Sequence, residues 1–132
     1  MIVVDTSIII AIIRKEDDAS IWIDILDQAP KAYMSVVSYV EANMVATGRR
    51  ADVKLDAVED TVDALGIEIA PVTVEQGLAA VASFVAYGKG RHSAHLNLAD
   101  CFTYALAKTR GLPLLFKGDD FLKTDIVPAW RP

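Results

Sequence analysis

Five carboxylates sit at places where a chain of alternating strands and helices would gather them. Asp5 follows the apolar run Ile2-Val3-Val4, and Glu41 stands three residues after Ser38. Asp100 opens an apolar stretch just after Asn97, and Asp119-Asp120 follow Leu114-Leu115-Phe116. Carboxylates crowded into a cleft cannot all ionise without a counter-charge, because each raises the pKa of its neighbours. Helix N-termini offset part of that repulsion. A hard divalent cation offsets more. A donor set of oxygens, with no thiolate or imidazole, suits Mg²⁺ or Mn²⁺. The chemistry such a site supports is metal-assisted attack of water on a phosphodiester.

Each acid also has a plain local role. Asp5 can cap a helix starting near Ser7. Glu41 can complete a capping box with Ser38. Asp100 can serve a helix dipole from its first turn, and Asp119-Asp120 can cap a short helix before Phe121. Caps, however, have no reason to converge on one crevice.

The elements that must position these acids are legible as an alternation. Ile2–Val4 reads as a buried strand. Ser7 to about Arg14 reads as a buried helix, and Asp18–Gln28 as an amphipathic one stopped by Pro30. Ala32–Met34 is a second strand. Ser35 or Ser38 can cap the helix that runs on to Thr47 and ends at Gly48. Ala51–Leu65 predicts an amphipathic helix terminated by Gly66, and Ile67–Val72 a third strand. Thr73 and Gln76 form a capping box opening a helix with Val74, Leu78, Val81 and Val85 on one face. Gly88–Ser93 is a basic loop. Asn97 caps a helix to about Arg110, Leu112–Phe116 is a fourth strand, and Ile126-Val127 a short fifth. This order predicts a single α/β domain over residues 1–132 with a parallel sheet. Ligands bind such sheets in the crevice at the carboxyl edge of the strands.

Composition narrows the function class. With 53% hydrophobic and 23% charged residues the chain is not intrinsically disordered. The lone Cys101 excludes an internal disulfide framework, and His92 and His95 form no zinc pattern. The apolar run Ile8–Ile13 is too short to span a membrane, and the first residues carry no basic leader, so a cytoplasmic protein is expected.

Four segments together are recognisable. They are Val4-Asp5-Thr6-Ser7, Val37-Ser38-Tyr39-Val40-Glu41-Ala42, Leu98-Ala99-Asp100-Cys101 with Tyr104-Ala105-Leu106-Ala107, and Leu115-Phe116-Lys117-Gly118-Asp119-Asp120-Phe121. In their order and spacing they resemble PIN-domain ribonucleases, and among these the VapC toxins of VapBC-type toxin–antitoxin systems. The resemblance runs from residue 2 to about 127. It implies a three-layer α/β/α sandwich around a mainly parallel sheet of four to five strands. It also implies Mg²⁺-dependent (or Mn²⁺-dependent) RNA cleavage. Asp5 and Asp100 match the family's core metal ligands, and Glu41 and Asp119 the acids that complete the catalytic site. Thr6 or Ser7 matches the supporting hydroxyl that orients Asp5 or a water. Many family members carry Thr or Ser two residues before the fourth acid. Here Lys117 stands there, so Asp120 is an alternative to Asp119, and Lys117 could touch a phosphate or simply be a solvated strand-end lysine.

The resemblance further implies a VapB-like antitoxin partner, a homodimer formed through helices, and DNA contact only through the antitoxin. The apolar segment Ile8–Ile13 and the helix bearing Trp22 are expected to leave an exposed remnant that a partner peptide covers, or else to be core. Other classes stay open at this point: a housekeeping PIN nuclease, a receiver-like signalling domain, or a non-catalytic binding module. A receiver needs an acid pair after strand one, where this chain has Asp5-Thr6-Ser7.

The net charge of −5 argues against gripping RNA by bulk charge. Residues 52–75, however, carry seven acids and one base, and four more acids belong to the expected site. What remains is net +5, with Arg49, Arg50, Lys89, Arg91 and Lys117 as candidates to face RNA phosphates. His92 and His95 are secondary acid/base candidates.

Overall fold

In the computed structural model, residues 1–48 and 54–132 are described. Strand β1 (Ile2–Val4) leads into α1 (Thr6–Ile13) and α2 (Ala19–Gln28). Strand β2 (Ala32–Ser35) is followed by α3 (Val36–Gly48) and α4 (Ala57–Ala64). Strand β3 (Ile67–Ala70) precedes α5 (Val74–Tyr87) and α6 (Leu98–Arg110), and β4 (Leu114–Leu115) ends in a 3₁₀ turn over Asp120–Lys123. The strands lie in the order β3-β2-β1-β4 and every pair is parallel. Ile2 stands opposite Ala32, and Val3 opposite Leu114.

Alternation along the strands builds two cores, because successive side chains point to opposite faces. Ile2, Val4, Met34 and Leu115 pack with Ile8, Ile9, Trp22, Leu26, Ala42 and Val58 on the α1–α4 side. Val3, Leu114 and Phe116 pack with Ala80, Cys101, Tyr104, Ala105 and Leu106 on the α5–α6 side. The result is the expected α/β/α sandwich.

Chain order and strand order reverse at β1. Strands β2 and β3 extend to one side of it and β4 lies on the other. Such a reversal opens a crevice at the carboxyl edge, the topological switch point of an open α/β sheet. The order also differs from the 2-1-3-4-5 order of receiver-like domains, which removes the receiver reading.

Several expectations are revised. The fifth strand at Ile126-Val127 reduces to a single parallel bridge between Leu114 and Pro128, held by Leu114 N donating to Val127 O (2.9 Å) and Ala129 N to Leu114 O (2.8 Å). The helix expected from Ala51 begins at Ala57; Arg49, Arg50 and residues 51–53 lie outside the described residues. Val74, Leu78, Val81 and Val85 line the outer face of α5, between 58% and 82% exposed, while Gln76, Ala80 and Ser83 face inward. Small residues there let α5 lie close against α6. Ile8–Ile13 leaves no broad apolar remnant: Ile8, Ile9, Ile10 and Ala11 are buried, Ile12 and Ile13 half-buried, and Trp22 is core. Among the described residues no helix is long and apolar enough to cross a membrane.

Candidate active site

Helix α1 must start immediately after β1, and Asp5 makes that turn. It is the N-cap, its backbone extended (φ −85°, ψ 155°), and its Oδ2 accepts from Ser7 N (3.1 Å) and from Ser7 Oγ (2.6 Å). The same carboxylate is buried. Burial pushes its pKa up, and the Ser7 hydrogen bonds pull it back only in part.

Ser35 opens α3 by accepting from Val37 N (3.2 Å), which sets Glu41 on the cleft side. Glu41 is half-buried, and its carboxyl is raised first by burial and then by the charge of Asp5. Helix α6 begins with a reciprocal capping box. Asn97 Oδ1 accepts from Asp100 N (2.9 Å), and Asp100 Oδ2 accepts from Asn97 N (3.0 Å). Asp100 is pushed up to about 7, chiefly by burial and then by Asp5, Glu41 and Asp120.

The fourth wall comes from the turn after β4. Gly118 adopts φ +103°, a conformation that side-chain-bearing residues rarely take, and this turns Asp119 and Asp120 back over the crevice. Both acids are exposed. Both line the cleft, and the charge of Asp120 adds to the burial that raises Asp100.

Together these residues line a cleft of about 560 Å³ at the β1/β4 switch point, with Asp5, Glu41, Asp100, Asp119, Asp120 and Glu16 on its walls. Among the described residues Lys117 is the one basic residue lining it. Its ammonium is spent on the α1–α2 turn, 3.0 Å from Asp18 and 3.4 Å from Glu16. The residue's backbone does further work: Lys117 N donates to Ser7 Oγ (3.0 Å), which donates to Asp5. The β4 exit loop thus fixes the Ser7 hydroxyl that holds Asp5.

A second hydroxyl chain braces the floor. Thr6 Oγ1 donates to Ser38 O (3.1 Å), and the Ser38 and Thr103 hydroxyls share a 2.6 Å hydrogen bond, tying α1, α3 and α6 together. Thr103 is not visible as a site residue in the sequence. The available signal is its i+3 spacing from Asp100, matching that of Ser38 and Glu41 on α3.

The donor set fits a hard cation: carboxylate oxygens, partly desolvated, mutually repelling, with no free ammonium among the described residues that line the cleft. Among the described residues no three carboxylates, imidazoles or thiols are already drawn into one compact shell.

The other candidates fall outside. Lys89 and Arg91 are exposed on the loop before α6 and do not line the cleft; Arg91 lies 5.8 Å over the Phe84 ring. His92 is structural, its Nδ1 accepting from Ala94 N (3.0 Å) and its ring edge-on to Tyr87. His95 is exposed.

Comparison with known proteins places this architecture. The PIN domain family matches residues 2–127. Ribonuclease VapC42 of Mycobacterium tuberculosis is 40% identical over 128 residues, covering 96% of this chain and 98% of that protein. The M. tuberculosis VapC20 structure, a Sarcin-Ricin loop cleaving toxin, superposes with a TM-score of 0.75 at 18% identity, over 100% of both chains. A toxin-antitoxin complex from Klebsiella pneumoniae gives 0.71 at 20% identity, over 95% of this chain and 93% of that one. At such identities the two structures carry the fold, whereas the VapC42 match extends along the full sequence. The chain belongs to the PIN-domain family, in its VapC ribonuclease branch.

Proposed function

We propose that this chain is the toxin of a type II toxin–antitoxin pair and hydrolyses RNA phosphodiester bonds with Mg²⁺ or Mn²⁺. The observation that carries the reading is the convergence of Asp5, Glu41 and Asp100, from three separate elements, at the switch point of the sheet. Asp5 and Asp100 would hold the cation, with Glu41 and the Asp119-Asp120 pair completing the site. When bound, the cation would supply Lewis-acid activation of water and of the phosphate.

The chain's own groups do the positioning. Ser7 fixes the orientation of Asp5, and Asn97 fixes that of Asp100. Thr6 and Asn97 favour the charged form of Glu41 and so offset part of the rise that burial imposes on its pKa. The carboxylates exclude an RNA phosphate until their charge is compensated, so binding of RNA and of cation are coupled. The purified chain should cleave RNA only when Mg²⁺ or Mn²⁺ is added, and Asp5→Asn should lower the rate at least about 100-fold. Full cleavage by Asp5→Asn would end this reading.

Two surfaces support the partner assignments. Val40, Met44 and Leu98, 50–73% exposed, edge an apolar groove of about 620 Å³ that adjoins Glu41. A VapB-like antitoxin segment covering it would also shut the cleft. The outer stripe of α5 is a second unpartnered apolar face, suited to a homodimer.

A further inference from the structure

A second cavity, also of about 560 Å³, opens on the far side of the Lys117–Asp119 turn and shares that wall with the acid cleft. Its acids are two, Asp18, which is held by Lys117, and Asp119 on the shared wall; the rest of its described lining is aromatic, aliphatic or basic. Its walls are Trp22, Phe116 and Trp130, with Leu122 and Arg131 at the rim. Trp22 is buried and stands edge-on to Trp130, the ring centroids 5.0 Å apart, while Trp130 itself is half-buried. Leu122 and Arg131 are exposed.

We propose that this cavity is a nucleobase subsite: it receives the base of the nucleotide next to the scissile phosphodiester. The inference rests on the proposed RNA cleavage. A strand that presents a phosphodiester to the acids must place the adjoining base within one nucleotide's reach. The cavity lies just across a single three-residue turn. Its volume falls in the range of small-ligand pockets. Aromatic and aliphatic walls with a cation at the mouth are the chemistry that holds unstacked bases, the ring on the base and Arg131 on the backbone phosphate. Lys117 acts here as a positioning residue. By bridging Glu16 and Asp18 it holds the wall between the two compartments, so that the phosphate and base sites keep a fixed separation.

The test uses a mixed-sequence single-stranded RNA hexamer. In an Asp100→Asn background the hexamer should quench tryptophan emission saturably, and Trp130→Phe should remove most of that quenching. Leu122→Glu and Arg131→Glu, both at exposed positions, should each raise KM for RNA cleavage about tenfold while kcat changes less than twofold. Unchanged KM in both variants with normal cleavage overturns the subsite and leaves the ribonuclease reading standing. Absence of RNA cleavage by the wild-type chain defeats both. A response of Trp130 emission to a tryptophan-free amphipathic Leu/Arg peptide, with none to the hexamer, assigns the cavity to a protein segment and overturns the proposal.

Discussion

At Asp5 one carboxylate caps α1 and walls the cleft, and at Asp100 another completes a capping box and faces the same space. The local role and the site role coincide because both caps lie at the carboxyl edge: α1 follows β1 there, and α6 starts beside it before leading into β4. Sequence reading named Asp5, Glu41, Asp100 and Asp119, with Asp120 as the alternative to Asp119, and the structure gathers all five around one cleft; which of the last two faces a cation depends on how far Gly118 swings the turn. Asp120→Asn should lower cleavage more than Asp119→Asn, roughly 100-fold against about tenfold, in parallel kcat/KM measurements. Ser7→Ala should cost about tenfold by freeing Asp5. The opposite ledger applies to stability. Burial and neighbouring acids disfavour the Asp100 carboxylate, so its folded pKa of about 7 lies above the unfolded value, and ionisation at neutral pH weakens the metal-free fold. Asp100→Asn keeps the acceptor for Asn97 N and removes that charge. Without metal it should therefore melt about 1–2 kcal/mol more stably at pH 7.5, with the gain shrinking toward pH 4.

Helix α5 shows what element-level reading leaves open. The sequence gives its Thr73 cap, Thr73 accepting from Gln76 N at 3.1 Å, and puts Val74, Leu78, Val81 and Val85 on one face without saying which way that face points. The structure turns it outward and packs Ala80 and Ser83 against α6. Two apolar-enough faces exist on one helix, and only the closeness of α6 decides between them. If the outer stripe pairs two copies, Val81→Glu should convert a dimer to a monomer in analytical ultracentrifugation while leaving the melting of dilute protein within about 0.5 kcal/mol. Helix α1 is the reverse case. Its apolar run Ile8–Ile13 reads as core or as an exposed remnant, with core the better reading residue by residue, and Ile8 to Ala11 are core. Ile9→Ala, fully buried, should cost about 2–5 kcal/mol in urea unfolding.

Across the whole molecule, charge is partitioned by place, and this resolves the tension between acidity and RNA. Cleft acids hold compensating charge, while Lys117 is bound to Glu16 and Asp18 and contributes little to phosphate grip. A separate pH signature comes from the far end of α6. Tyr104 donates to Asp125 Oδ1 (2.5 Å) and Lys108 to its Oδ2 (3.0 Å), which together hold the Asp125 carboxyl below its ordinary value. Its contribution is present above the unfolded carboxylate pKa and is lost as pH falls through the lowered folded value. Asp125→Asn should thus destabilise by about 0.5–1 kcal/mol at pH 7, a figure reduced for the exposure of the pair, and the difference should shrink as pH falls below the ordinary carboxylate range.

The central claim is that the acids at the β1/β4 switch point cut RNA. Sequencing of RNA 5′ ends after induced expression, wild type beside Asp100→Asn, tests it directly. Discrete new ends in the wild type that vanish in Asp100→Asn are the expected result. The same ends in both strains, or none in the wild type, would contradict it.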